Sequence, residues 1–210
     1  MIRTTVAGVV FLGVCAALGL TSLAGDAADR ADPIKLLLSE DTKVRAEGQR
    51  RILMQTKTTV SQLAAIIDDP ENHVHNSGAV QDAMRTLGAL HATEGIDILI
   101  AYIGFPLVHH PKAPEYPQSV DGGTFGKPIE QLFPAVGALI EIGDPCVPRV
   151  IKKLGETKSV LEERACIAVL RRLSARPSVR EQLLKAIKRA PPERRENLSK
   201  ALAGLDETGQ

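Results

Sequence analysis

The residues in this chain with chemistry to offer are few, and they cluster in two places. His73 and His75 sit in `DDPENHVHN` (68–76), and His109 and His110 sit in `GFPLVHHPKAPEYPQSVDGGTFGK` (104–127). Histidines at i and i+2 can both face a metal ion from an extended backbone, but zinc takes three or four ligands with partners fixed behind them. No Cys-x-x-Cys, His-Glu-x-x-His or comparable spacing supplies the rest. The turn histidines therefore read as solvated, and no metal is assigned. His91, at the end of an apolar stripe, reads as a favourable charge at a helix C-terminus. Ser119 and Asp121 near His109 and His110 bring together the residue types of a nucleophilic triad, without the Gly-x-Ser-x-Gly turn that mounts such a serine. `DDPENH` (68–73) has the acidity of a calcium loop and neither its spacing nor its closing Glu. Phosphate-cradling glycine loops and dinucleotide fingerprints are missing too. These residues specify no reaction. No catalytic residue and no cofactor is expected, and a binding protein is the better reading than an enzyme.

What must position such residues is a set of helices. Aromatics make up 3% of the 210 residues and Trp is absent, against 44% hydrophobic and 24% charged residues. A core built from Leu, Ile, Val and Ala suits close-packed helices better than a sandwich of strands. Asp32-Pro33 reads as an N-cap followed by Pro at the first helical position. Apolar stripes at helical spacing then predict helices over about 41–55, with Val44, Ile52 and Leu53 inward, and 59–68, with Val60, Leu63 and Ile67 inward. The stretch 68–76 is expected to be a turn. Further pairs are predicted at about 77–91 with 94–104, 128–142 with 145–155, and 158–174 with 177–189. A last charged helix at 192–204 carries Leu198, Ala201 and Leu205 on one face and fits the role of a polar cap.

These pairs repeat. Leu87, Leu90, Ile96, Leu99, Ile100 and Ile103 align with Leu139, Ile142, Val147, Val150, Ile151 and Leu154. The second set aligns in turn with Leu170, Leu173, Val179, Gln182, Leu183 and Ala186, where Gln182 is the one polar misfit. Helix pairs of this kind cannot bury their apolar faces alone, so they stack. The segment `IGDPCVPRVIKKL` (142–154), with Gly-Asp-Pro between two apolar helices, resembles the HEAT-repeat family in its short bacterial form. The resemblance implies an all-α solenoid of about four antiparallel helix pairs over 32–205, with second helices lining the concave side. It further implies a scaffold that binds other proteins.

The leader is of export type. Arg3 is followed by an uncharged run from Thr4 to Gly25 with an apolar heart, `VAGVVFLGVCAALGL` (6–20), the length of a signal-peptide core. `SLA` (22–24) places small residues where a signal peptidase reads, so residues 1–24 are expected to be cleaved, leaving a polar tether (25–31) and a short tail (206–210). The uncharged run is also just long enough to span a bilayer, and an inner-membrane anchor over 4–25 is the alternative. The expected location is periplasmic or extracellular. Cys146 and Cys166 then remain as two separate buried thiols.

The 104–127 stretch interrupts the array. Its prolines at 106, 111, 114 and 117 and glycines at 104, 122, 123 and 126 forbid a continuing helix. Apart from Phe11, every aromatic in the chain falls between Tyr102 and Phe133. On such a loop, Phe105, Tyr116 and Phe125 either pin it over a groove between repeats or meet a partner. `SVDGGTF` (119–125) could turn as a hairpin at Asp121-Gly122.

Charge is uneven along the chain. Residues 68–148 hold 3 basic and 11 acidic residues, whereas 149–200 hold 15 basic and 6 acidic. Arg149, Lys152, Lys153, Lys185, Lys188 and Arg189 come from second helices and form a candidate basic binding face. They either keep a face solvated or steer an acidic protein, a polyanion or anionic headgroups toward it. Nucleic acid is not expected, given the leader and the lack of aromatics for base stacking at that end. The sequence thus predicts an exported, non-catalytic scaffold that binds another protein, of acidic character if the basic face takes part. Its contacts are the concave face and the loop residues Phe105, His109, His110, Tyr116 and Phe125. A membrane is involved only if the leader is retained, which makes the protein an envelope-anchored adaptor. An enzyme or metal-binding module on the loop histidines is the other alternative.

Overall fold

The computed structural model describes residues 32–54, 60–105 and 129–206. Among them every regular element is helical. The array opens with α1 (Pro33–Leu37), α2 (Thr42–Met54), α3 (Val60–Asp68), α4 (Pro70–His75), α5 (Ser77–Ala89) and α6 (Ile96–Ala101). Beyond the insertion come α7 (Ile129–Leu132), α8 (Pro134–Ile142), α9 (Val147–Glu156), α10 (Val160–Leu173), α11 (Pro177–Arg189) and α12 (Pro192–Asp206). Single 3₁₀ turns, Thr93–Gly95 and Asp144–Cys146, lead into α6 and α9.

Local signals set these boundaries. Asp32 caps α1, its carboxylate accepting from Ile34 N at 3.0 Å with Pro33 at the first position. Ser159 caps α10 through Glu162 N. Helix α5 ends in a Schellman motif: Ala92 N donates to Leu87 O and His91 N to Gly88 O. His91 takes the left-handed position usually given to glycine, at φ 49°. Gly143 turns α8 into the next 3₁₀ turn at φ 81°, a conformation that side chains with a Cβ rarely adopt.

The helices form two layers in a stepwise stack. First helices follow one another, α2 on α5, α5 on α8, α8 on α10 and α10 on α12. Second helices do the same through α3, α6, α9 and α11. Each second helix also packs on the first helix of the next pair, as α3 does on α5 and α9 on α10. The molecule is therefore an all-α solenoid of about four helix pairs, with α1 and α12 at its ends. One apolar core runs from Leu37 to Leu205 without a break at the insertion. Leu87, Leu99, Leu139, Val150, Leu154, Leu170 and Leu183 are fully buried. Burying each contributes about 1.5–3 kcal/mol relative to exposure. Cys146 and Cys166 are free and buried, and burial pushes both thiols up to about 12.

Several expectations need correction. The stretch 68–76 is not only a turn: Asp69 caps a short helix, accepting from Glu71 N at 3.0 Å, and Pro70 opens it. Leu53 faces outward at 42% exposure and Val44 is half-buried, leaving Ile52 as the buried apolar residue of α2. The helix expected over 128–142 breaks at Phe133, because Pro134 has no N–H to continue α7 and instead starts α8. The leader, the tether, the possible hairpin at 119–125 and Cys15 lie outside the described residues. Among the described residues no helix is long and apolar enough to cross a membrane.

Candidate functional site: the root of the insertion and the basic second helices

Helix α6 is short, and its chain turns at Tyr102 and reaches Phe105, at the start of the insertion. The departure point is held by rings. His73 of α4 stacks on Tyr102, with centroids 4.9 Å apart and planes 24° from parallel. Phe105 meets the same imidazole edge-on at 4.8 Å and 89°, and meets Tyr102 at 6.3 Å and 86°. Such pairs contribute about 0.5–1.5 kcal/mol each beyond the area they bury. Tyr102 Oη donates to Asp68 Oδ1 at 3.2 Å, and His73 Nε2 lies 2.5 Å from Ile67 O at the end of α3. A carbonyl can only accept, so Nε2 carries the proton in that bond. Burial raises the Tyr102 phenol above its usual range, and its bond to the Asp68 carboxylate adds to the shift. Asn72 completes the seam by donating to Ile66 O at 3.2 Å.

Phe105 is therefore a packed, half-buried residue at the root of the insertion. His73 is not the solvated histidine its turn suggested; it is the centre of the cluster, 29 residues from Tyr102 in sequence. No sequence signal marks that pairing beyond the shared run of aromatics. His75 is exposed and lies 3.5 Å from Glu71 one turn earlier. His91 serves as a clasp, its Nδ1 2.7 Å from Glu141 O at the end of α8. His109, His110, Tyr116 and Phe125 lie outside the described residues. Among the described residues no three metal-ligating side chains converge.

The six candidate basic residues divide into three groups. Arg149 reaches back to Asp97 of α6 at 2.5 Å, and Lys153 reaches forward to Glu162 of α10 at 2.7 Å. Both tie successive repeats together. Thr157 also donates to Glu162. Burial pushes that carboxyl up, but the Lys153 and Thr157 hydrogen bonds outweigh it and hold Glu162 below the usual carboxylate range. Lys185 lies 3.9 Å from Glu181 on its own helix. Lys152, Lys188 and Arg189 are exposed and make no ion pair among the described residues. Similar ties occur elsewhere: Arg45 of α2 to Asp82 of α5 at 2.9 Å, both largely buried, and Arg176 to Asp144 at 2.8 Å.

Three further basic residues that the sequence did not single out, Lys158, Arg194 and Arg195, extend the Lys188–Arg189 end of that face where α9, α11 and α12 meet. Arg194 pairs with Glu156 at 3.0 Å, and Asn197 donates to Leu154 O and Thr157 O at 3.3 and 3.2 Å. Arg195 Nε donates to Ala190 O at 2.7 Å. These bonds bring Arg194 to the end of α9, next to the stretch that holds Lys158, and tie Arg195 to Ala190, which directly follows Lys188 and Arg189. The Pro191-Pro192 turn that folds α12 back is the one visible clue in the sequence.

No protein-family model matches the chain, and no curated protein sequence matches it. Among solved structures it is similar to a designed armadillo repeat protein, 15% identical over 92% of this chain and 87% of that one, with a TM-score of 0.32. It is also similar to human deoxyhypusine hydroxylase in complex with glycerol, 12% identical over 91% of this chain and 99% of that one, with a TM-score of 0.22. Superpositions this loose carry no argument about function. The helical-repeat architecture rests on the order and packing of this chain's own helices.

Proposed function

We propose that the protein is a non-catalytic, exported scaffold that binds another protein through its second-helix layer and the 104–127 insertion. The observation that carries this reading is the anchored root: His73, Tyr102 and Phe105 fix the point in a continuous helical stack where the long Pro- and Gly-rich segment begins. An insertion rooted this way presents its remaining aromatics, Tyr116 and Phe125, from a defined place on the array. Ordering cost is then lower than for a free tether, because part of it is met before any partner arrives. Export rests on the leader, with retention as an envelope anchor as its alternative form.

Site-specific photocrosslinking in the native organism tests the proposal. A photoreactive residue at Tyr116 should give one dominant protein adduct. The same probe at Arg172, on the exposed side of first helix α10, should give none. Equal adducts from both sites would contradict a partner surface built on the insertion.

A further inference from the structure

The corner at the end of α9, the end of α11 and the start of α12 is a strongly basic surface. Lys158, Lys188, Arg189, Arg194 and Arg195 meet there, with Glu156 and Glu193 as the acidic residues among them, so the corner is three charges positive. Lys158, Lys188 and Arg189 have no ion pair among the described residues, and all five cations are exposed. Val160 sits two residues beyond Lys158 at the open start of α10, 60% exposed, and Pro191 and Pro192 are exposed at the turn into α12. Cations, an exposed apolar side chain and two exposed prolines thus lie at one end of these helices.

The kind of partner follows from what holds each cation. Arg45, by contrast, is largely buried and fixed by Asp82 and by two backbone carbonyls, Ser39 O and Glu40 O. That is how a guanidinium is held when its partner has a fixed position. Lys158, Lys188 and Arg189 have no such preorganisation. Long, loosely held cations around a small apolar contact suit a partner whose negative charges are themselves mobile in a plane.

We infer that this corner, at one end of the second-helix layer, is an electrostatic docking surface for a membrane containing anionic lipids, and that it acts without the insertion. Each cation near such a surface strengthens partitioning by about fivefold, and the attraction decays within a Debye length. The array would then lie with the α9–α12 end against the headgroups.

Co-sedimentation of the full chain with vesicles tests this. Vesicles of phosphatidylcholine alone are compared with vesicles carrying about a third phosphatidylglycerol, at low and high salt. The expected result is capture by the anionic vesicles alone, lost at high salt and weakened about tenfold or more in the variant Lys158→Gln, Lys188→Gln, Arg189→Gln. A control of equal net charge, Lys35→Gln, Lys43→Gln, Arg85→Gln, should bind as the parent does, with circular dichroism showing both variants folded. Equal capture by neutral vesicles would assign binding to the leader and overturn the inference. Equal loss in both variants would reduce it to net charge and overturn it too. So would failure to bind anionic vesicles while binding soluble polyglutamate, which would assign the corner to an acidic protein.

Discussion

The junction between α5 and α8 and the corner where α9, α11 and α12 meet are both contacts between successive repeats, yet they are built in opposite ways. The first spans the insertion, so its two helices are separated by more than forty residues of chain. It is nevertheless the tighter: a Cβ placed on Gly88 would lie 2.6 Å from Ala138 Cα. Ala79, Ala83, Ala135 and Ala138 are buried along the same two helices. Small residues let the helix backbones approach, and the His91–Glu141 bond clasps the end. The corner is also joined over a long stretch of chain, 38 residues from Arg194 to Glu156 and 43 and 40 from Asn197 to Leu154 O and Thr157 O, but its links are polar, with cations left in solvent. Continuity of the solenoid is thus set by packing, and chain connectivity is secondary. Among the described residues the core continues from one side of the insertion to the other.

The largest break in the comparison should come from charge placed in the core. Leu139→Asp, at the tight junction, or Val150→Asp, on α9, buries an unpaired carboxylate where both parent side chains are fully enclosed. Each should cost several kcal/mol. Loss of far-UV helicity at room temperature checks this, and retained full helicity would contradict the core assignment.

The same small substitution should then have opposite signs in the two regions. Alanine is the better helix former by about 1 kcal/mol. Gly88→Ala should nonetheless lower Tm, because overpacking against Ala138 costs about 1–3 kcal/mol. At Gly155, near the corner, a new Cβ meets its nearest atom at 3.7 Å. Gly155→Ala should therefore be neutral or raise Tm, by up to a few degrees. Paired thermal melts decide both signs.

Acid should loosen the link into the corner before it touches the apolar junction. Glu162 has a folded pKa held below its unfolded value of about 4.3, so it contributes stability above that value and loses it as pH falls through the folded one. Denaturant titrations from pH 6 to pH 3 should show this part of the loss disappear in Glu162→Gln. The smallest effect belongs to the exposed cations: neutralising Lys158, Lys188 and Arg189 should change stability by no more than about 0.5 kcal/mol each.

Much of this architecture was legible because it depends on period. The stripes Leu87–Leu99, Leu139–Leu154 and Leu170–Leu183 fall on the expected helix pairs, since local spacing alone decides which face is apolar, although the helix expected over 94–104 ends at Ala101 and leaves the buried Ile103 in a turn. Helix α4 was also readable in principle, because Asp69-Pro70 is the same start signal as Asp32-Pro33, hidden by the polar residues around it. Other features depend on which repeats touch. Arg149 and Lys153 look like members of one basic stripe until the fold places Asp97 and Glu162 beside them. The corner cations are scattered over 158–195 and converge only because α12 folds back on α9. His73 and Tyr102 meet only because the fold brings α4 against the turn that follows α6.

Whether the two sides of the insertion are one body is settled most directly by proximity across it. Nuclear Overhauser spectroscopy should show a strong contact between the Gly88 α-protons and the Ala138 methyl group. If that contact is missing from an otherwise folded, assigned spectrum, the halves are separate domains joined by a linker, and the unbroken solenoid is wrong.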